Sequence, residues 1–213
     1  MATILASRLQ CWQQCRLKFY FRYVLSIPKR ATAALHVGNV VHTVLQAWNM
    51  ARWRGQEFNS ELSKTLFYND WQARQADSEI QWDGEEVEQR NNTWTLLQTY
   101  FAETPIQANE RPEAVEVPVE ADLPQGLPKL VGIIDLVRAG GRIVDFKTSA
   151  QTPDAEKVEH IHETQLSCYS ALYRDATPHP HPANKGRAAG GKDQIQDPRY
   201  PGLSVVPVSR TGT

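Results

Sequence analysis

Apolar residues recur at three- and four-residue steps through the first half of the chain, which is the spacing of helices that bury one face. This pattern predicts a first helix that Ser7 caps and that runs to about Val24, where Pro28 ends it. Three further amphipathic helices are predicted at about 33–54, 60–77 and 84–103. We expect the apolar stripe of the first helix to belong to the core; its members are Leu9, Trp12, Cys15, Phe19 and Tyr23.

The period changes to two at Ala114, where AVEVPVEADL alternates valines with Glu and Pro. This alternation predicts a strand, and Pro118 favours the edge of a sheet for it. Two apolar strands around a Gly-Gly turn are predicted within LVGIIDLVRAGGRIVDFKTS, residues 130–149, and a helix at about 153–175 follows. The expected fold class is therefore α/β, with a mixed sheet flanked by helices and an N-terminal helical portion.

The register of this hairpin follows from its turn. A three-residue loop at 139–141 would set Asp135 directly opposite Asp145. Opposed side chains hold their Cβ atoms roughly 4.5–5.5 Å apart, so two carboxylates repel each other unless a cation lies between them. Lys147 would share the face of Asp145, while Phe146 points the other way into apolar surroundings. The same register gives two further opposed pairs, Leu136 with Val144 and Arg138 with Arg142.

Length and composition indicate one globular domain. The chain has 213 residues, 41% of them hydrophobic, with six Trp. No run approaches the ~18 apolar residues that cross a bilayer, and the first residues lack the charged start of a secretory signal. Three cysteines without a CxxC motif suit a reducing compartment. We therefore expect a cytoplasmic protein without membrane contact.

Charge is distributed unevenly along the chain. Residues 1–55 carry eight Lys or Arg and no acidic residue, whereas residues 56–123 carry four basic and fifteen acidic residues. Basic side chains interleaved with aromatic ones suit a polyanion such as DNA. The alternative is a solvated helix face that neutralises the acidic middle of the chain.

The last residues differ in character from the rest. Residues 176–213 contain six Pro and five Gly, and LSVVPV is their one stretch with a strand pattern. We interpret residues 1–175 as the domain and 176–213 as a loose tail, or as an aberrant or truncated end of the domain.

Four short motifs follow one another in a fixed order: Gly38-x-x-x-His42, Gly132-x-x-Asp135, Asp145-Phe-Lys147 and Gln165-x-x-x-Tyr169. This ordered set resembles the RecB-type branch of the PD-(D/E)xK nuclease superfamily, which includes RecB-family exonucleases and the CRISPR adaptation nucleases. The resemblance covers roughly residues 5–175, and it implies that the mixed sheet is of the restriction-endonuclease-like type. It includes the opening pattern Ser7-x-Leu9-x-x-Trp12-x-x-Cys15.

The resemblance implies a Mg²⁺ or Mn²⁺ site in which carboxylates and an imidazole leave positions open to water. Its implied ligands are His42, Asp135, Asp145 and the backbone carbonyl of Phe146. Lys147 would position or activate water and offset the charge that grows on the phosphate. The implied supporting residues are Glu116 in the outer shell, and Gln165 and Tyr169 against the site and the DNA backbone.

Simpler interpretations stay open for several of these residues. His42 could be a satisfied core histidine, and Lys147 a solvated lysine at a strand end. Gln165 and Tyr169 could be a helix cap and a core aromatic residue.

Cysteine usage departs from the resemblance. Several relatives hold an iron–sulfur cluster with one cysteine in the opening helix and three near the C-terminus, and no such trio follows Cys168 here. We expect no cluster, and interpret Cys11, Cys15 and Cys168 as small buried residues.

The function expected from these features is metal-dependent hydrolysis of DNA phosphodiester bonds in repair or recombination. The alternative is a catalytically weak DNA-binding or scaffold subunit of a helicase–nuclease complex, and a third interpretation is a truncated product that folds poorly. The expected partners are DNA and a helicase or other repair subunit.

Overall fold

The structure is a computed structural model that describes residues 3–104, 106–107, 109–124, 126–149, 155–176, 195–196 and 204–211. Its helices are α1 (Ala6–Gln14), α2 (Arg16–Phe19), α3 (Ala33–Arg54), α4 (Ser60–Asp77), α5 (Glu86–Glu103) and α6 (Ala155–Ala176), with a π-helical turn at Tyr20–Val24. Its strands are β1 (Thr3–Leu5), β2 (Ala31–Thr32), β3 (Ile80–Gln81), β4 (Ala114–Ala121), β5 (Lys129–Arg138), β6 (Arg142–Ser149), β7 (Ile195–Gln196) and β8 (Ser204–Thr211). This arrangement confirms the predicted α/β class and is consistent with a restriction-endonuclease-like core.

Strands β4, β5 and β6 form the predicted antiparallel meander within a six-stranded mixed sheet. Among the described strands β4 pairs with β5 alone, which confirms the edge position that Pro118 predicted. Two predicted pairs of the hairpin are confirmed, Leu136 with Val144 and Arg138 with Arg142. The turn uses two glycines with positive φ, at 80° and 72°, a conformation that costs Gly no steric penalty. Strand β1 is parallel to β5, β8 is antiparallel to β6, and β2 with β3 forms a separate two-stranded sheet.

Strand β5 changes its neighbour part-way along one edge. Strand β4 pairs with β5 from Leu130 to Val137, so β1 and β6 must share the opposite edge. Strand β1 pairs with residues 129–131 of β5, and β6 pairs with residues 136–138. The sheet therefore forks between Gly132 and Asp135, and backbone groups at the fork can form hydrogen bonds with side chains.

Helices cover both faces of the sheet, which allows apolar residues on each face. On one face, Leu136, Val144 and Phe146 pack into a cluster with α3, α4 and α5. On the other face, Ile134, Val137 and Ile143 pack against Leu166, Tyr169 and Leu172 of α6. Alternation along β6 thus sends Val144 and Phe146 to the α3 side, and leaves Asp145 and Lys147 for the α6 side.

The single helix predicted from Ser7 to Val24 is wrong. Cys15 is extended, with φ −160°, and its thiol accepts a hydrogen bond from the Lys18 backbone N at 3.4 Å, which starts a second helix. Ser7 is not the cap, because β1 runs directly into α1.

The expectation that the apolar stripe of this segment lies in the core is also wrong. Ala6 and Cys11 are the buried residues of α1, whereas Trp12 is 44% exposed and Cys15 is exposed. The break at Cys15 turns the second half of the stripe away from the sheet. Phe19 then packs edge-on against Trp12, with ring centroids 5.2 Å apart.

Part of the predicted loose tail falls within the described residues. Strand β8 pairs with β6 over its whole length, from Ser204 with Ser149 to Thr211 with Arg142, and it contains most of the LSVVPV stretch. Strand β7 pairs with β8, and the other residues of 177–213 lie outside the described residues, so the boundary at 175 stays a prediction. None of the described helices is long and apolar enough to cross a membrane.

Gly132 allows the ring of Tyr169 to lie directly on the sheet. A Cβ at position 132 would stand 2.5 Å from Tyr169 Cε1, which is closer than atoms can pack. We expect Gly132→Ala to destabilise the fold by about 1–3 kcal/mol, the usual cost of overpacking. Thermal unfolding measures this loss. The loss should persist in a Tyr169→Phe background, which keeps the ring, and shrink in a Tyr169→Ala background, which removes it. Equal losses in all three backgrounds would contradict the contact.

Candidate active site

Asp135 lies at the fork of the sheet, where its side chain takes the place of a backbone hydrogen-bond partner from the neighbouring strand. The ladder between β5 and β6 does not extend to residue 135, and the Phe146 backbone N–H instead donates to Asp135 Oδ2 at 2.8 Å. The same oxygen lies 3.6 Å from His42 Nδ1. The carboxylate thus satisfies a backbone donor that the fork leaves unpaired, and it faces the helix that carries His42.

Glu116 occupies the register position opposite Asp135 on the neighbouring strand β4. The pairs on either side, Val115 with Leu136 and Val117 with Ile134, are regular. Glu116 itself has φ 51°, a left-handed conformation that is costly for a residue with a long side chain. Backbone strain of this kind concentrates at functional sites.

Asp145 is the most enclosed carboxylate of the site, with 2% of its surface exposed. Gln165 Nε2 lies 3.3 Å from Asp145 Oδ1 and donates to Tyr169 Oη at 2.8 Å. The Lys147 Nζ lies 2.6 Å from Asp145 Oδ2, so the ammonium group and the carboxylate form a close ion pair. These residues form one polar chain between β6 and α6.

Helix α3 positions His42 from the opposite side of the sheet. The helix starts at Thr32, whose hydroxyl accepts a hydrogen bond from the Leu35 N–H at 3.3 Å. Gly38, one turn before His42, allows α3 to approach β6, because a Cβ there would stand 3.2 Å from Thr148 Oγ1. The His42 ring then lies edge-on to Phe146, with centroids 6.4 Å apart.

The electrostatics of the site favour a bound cation. Burial and the nearby charge of Asp145 raise the pKa of Asp135, with His42, the Phe146 N–H and Lys147 opposing. Burial and the charge of Asp135 raise the pKa of Glu116. Asp135 and Glu116 thus hold their negative charges at a cost in free energy, and a bound cation would lower that cost.

The donors of the site fit Mg²⁺ or Mn²⁺ in their chemistry, since they are carboxylate oxygens and an imidazole nitrogen. The buried Asp145 Oδ2 already holds one cation, the Lys147 ammonium group at 2.6 Å, and is therefore an oxygen suited to a metal ion. The side chains stand as two pairs, His42 with Asp135 and Lys147 with Asp145. Among the described residues, no three His, Cys, Asp or Glu side chains converge as a closed ligand set.

His162 is a residue of this neighbourhood that the sequence motifs did not indicate. It lies on α6 one turn before Gln165, and its buried Nδ1 has no hydrogen-bond partner in the part of the chain that the structure describes. Burial and the charge of Lys147 lower its pKa, with Asp145 opposing. Its spacing of three residues from Gln165 was the available signal, because residues three apart share a helix face.

Tyr169 is buried against the sheet beneath this polar chain. Burial, with smaller effects from Asp145 and Asp135, raises the pKa of its phenol to about 12, although the bond from Gln165 opposes this. The phenol therefore stays protonated at neutral pH. All eight residues predicted for the site lie around one fork of the sheet; their individual roles stay predictions.

A forked mixed sheet with carboxylates at the fork and helices on both faces defines an α/β protein with a restriction-endonuclease-like core. The sequence profile of the PD-(D/E)XK nuclease superfamily matches residues 4–197, and the chain belongs to that superfamily. Comparison with curated proteins and with solved structures gave no match. Family membership makes a nuclease the expected activity and nucleic acid the expected substrate.

Proposed function

We propose that this protein is a Mg²⁺- or Mn²⁺-dependent deoxyribonuclease of the RecB type that acts in DNA repair or recombination. The observation that supports this most strongly is the pair of enclosed carboxylates, Asp135 and Asp145, with Lys147 beside them at the fork of the sheet. A neutral Asn at position 135 could accept the same hydrogen bond from the Phe146 N–H, so structure alone does not require the charge of Asp135 beside Asp145. That charge raises the cost of folding, as the raised pKa of Asp135 indicates.

The residues that would hold the metal are His42, Asp135, Asp145 and the backbone carbonyl of Phe146, with Glu116 in support. When bound, such a metal supplies a water of lowered pKa and stabilises oxygens of the scissile phosphodiester. Asp135 keeps its geometry through the Phe146 N–H, and Asp145 keeps its geometry through Gln165. The chain therefore holds both carboxylates in place before any substrate arrives.

Lys147 is suited to interact with the scissile phosphate of the DNA. Its side chain is 32% exposed while that of Asp145 is 3% exposed, so the ammonium group lies between the carboxylate and solvent. From there it can orient the attacking water and offset the negative charge that develops on the phosphate oxygens. Gln165 and Tyr169, which are both buried, support this arrangement from α6.

Metal binding tests this proposal separately from catalysis. Calorimetric titration of the parent protein with Mn²⁺ should give saturable binding, and Asp135→Asn should weaken it by at least about tenfold, since one charged ligand is lost. Asp122→Asn is the matched control, because Asp122 lies outside the site and its side chain is 72% exposed. Equal Mn²⁺ affinity in all three proteins would contradict the proposed ligands.

The basic N-terminal segment is suited to guide DNA towards this site. Helix α1 packs on α6. The hydroxyl of Thr164, the residue before Gln165, donates to Gln13 Oε1 at 2.9 Å. Arg16, Lys18 and Arg22 are all exposed on this segment. Their charge is therefore available to phosphates near the site.

Changing Arg16, Lys18 and Arg22 together to Ala should weaken DNA binding and flatten its salt dependence. Each lost phosphate contact removes roughly 0.7–0.9 from the slope of log K against log salt, so loss of three contacts should reduce the slope by about 2–3. Fluorescence anisotropy with labelled DNA in EDTA measures this. Lys64→Ala, on the exposed side of α4, is the control, and an unchanged slope in a folded variant would show that this charge merely balances the acidic middle.

A catalytically weak DNA-binding or scaffold subunit is the second candidate. It is favoured by the two-pair arrangement of the site, in which the described side chains do not close a ligand set. Exposed apolar side chains on the same N-terminal segment, among them Leu17 and Val24, suit a helicase or other repair subunit as partner. This candidate predicts DNA binding without Mn²⁺ binding, so the titration above separates the two.

A further inference from the structure

A cavity of about 570 Å³ lies among helices α3, α4 and α5. It is bounded by the second half of α3, the start of α4 and the end of α5. Its aromatic walls are Trp48, Phe58, Trp94 and Phe101. None of the residues assigned to the candidate active site lines it, so the cavity is a separate feature of the fold.

Ser63 is one of the residues that line this cavity, and its buried hydroxyl is unpaired. The residue is 2% exposed, and its Oγ has no hydrogen-bond partner in the described part of the chain. Helix hydroxyls usually bond to the carbonyl four residues earlier, as Thr93 does to Gln89 O at 2.7 Å. Ser63 does not make that bond, although its own N–H donates to Asn59 O at 3.0 Å. A buried hydroxyl without a partner costs free energy, unless a ligand satisfies it.

The charge of the cavity indicates a neutral guest. Among the described residues, its lining contains no Lys, Arg, His, Asp or Glu. Arg52 lies behind the lining, where its guanidinium covers one face of Trp48 and donates to the Gln107 carbonyl. Glu61 in the first turn of α4 opposes the attraction that this helix start would otherwise have for an anion. The polar groups of the lining besides Ser63 are amides and hydroxyls, including Asn59, Gln98 and Gln107. A guest would therefore meet hydrogen-bonding groups and aromatic surfaces without an ionic contact.

We propose that this cavity binds a neutral aromatic heterocycle of nucleobase or nucleoside size, whose polar edge bonds to the Ser63 hydroxyl. The volume lies within the range of roughly 300–1,000 Å³ that small-molecule sites occupy. Aromatic side chains stack on the face of any nucleobase, and that contact tolerates different bases. The amides at the rim then meet the ring edges or the sugar hydroxyls.

Adenosine and thymidine are suitable probes, because both are neutral and carry hydrogen-bonding edges. Each is titrated into the full protein in EDTA, and the indole N–H signals of the six Trp are followed by ¹⁵N NMR, with Trp48→Phe and Trp94→Phe used for assignment. We expect saturable shifts at Trp48 and Trp94 for at least one probe. Signals that stay still up to about 10 mM, or that move only at Trp12 or Trp53, would overturn the proposal.

Ser63→Ala tests the hydrogen bond that defines the site. It should weaken binding on the order of tenfold, while the thermal midpoint stays equal or rises, because the variant removes an unpaired buried hydroxyl. Ser78→Ala is the matched control, since Ser78 lies at the exposed end of α4 and bonds to Arg74 O. Equal affinity of Ser63→Ala and parent would overturn the proposal. Since no metal or DNA is present, the result is independent of whether the protein is a nuclease.

Discussion

Asp145→Asn will abolish cleavage of DNA and leave DNA binding unchanged or stronger. The substitution removes a metal ligand and a negative charge beside the scissile phosphate, while an amide of the same shape still meets Gln165. We expect a loss on the order of 10³-fold or more, as for other groups that stabilise charge in a transition state. End-labelled DNA measures cleavage, and anisotropy in EDTA measures binding.

The control for Asp145→Asn is Asp122→Asn, which makes the same chemical change on an exposed loop. It should cleave as the parent does. Cleavage by Asp145→Asn at the parent rate would contradict the site, and loss of DNA binding together with cleavage would indicate a folding defect instead.

Asp135→Asn will lose cleavage to a similar degree and will make the metal-free protein more stable at neutral pH. Asn keeps an acceptor for the Phe146 N–H but carries no charge. Burial and the charge of Asp145 raise the pKa of Asp135 above its value of about 3.9 in the unfolded chain. The folded state therefore binds this proton more tightly, and the carboxyl favours folding most below that value. As pH rises through the folded pKa, the advantage is lost.

The pH dependence of the thermal midpoint in EDTA tests this sign. The gain of Asp135→Asn over the parent should be small near pH 4 and largest above pH 7, where each 1 kcal/mol corresponds to about 2–4 °C for a chain of this size. Asp122→Asn should show no such gain. A variant that is less stable than the parent at pH 8 would contradict the electrostatic account of the site.

Local patterns were sufficient to predict the hairpin and the long helices. The register of β5 and β6 depends on one turn, and a Gly-Gly pair that adopts positive φ fixes it. Helices α3 and α4 begin and end at the predicted residues because each has a side-chain cap at its start, Thr32 and Asn59. Alternation along β6 likewise predicted that Phe146 is buried and that Lys147 lies beside Asp145.

Features that depend on distant parts of the chain could not be predicted. The fork exists because Thr3–Leu5 pairs with β5, which lies more than 120 residues further along the chain. A strand of three residues is too short to show a pattern that predicts this pairing. The fork in turn explains why Asp135 bonds to the Phe146 N–H rather than only facing Asp145. The break at Cys15 and the exposure of Trp12 have no glycine or proline to signal them.

The most direct test of the central claim is cleavage of end-labelled single- and double-stranded DNA by the parent protein with Mg²⁺, Mn²⁺ or EDTA. The proposed function predicts shortened products with Mg²⁺ or Mn²⁺, and intact DNA in EDTA and with Asp145→Asn under every condition. Intact DNA with both metals, from a folded protein that still binds DNA, would contradict a nuclease and favour the scaffold subunit.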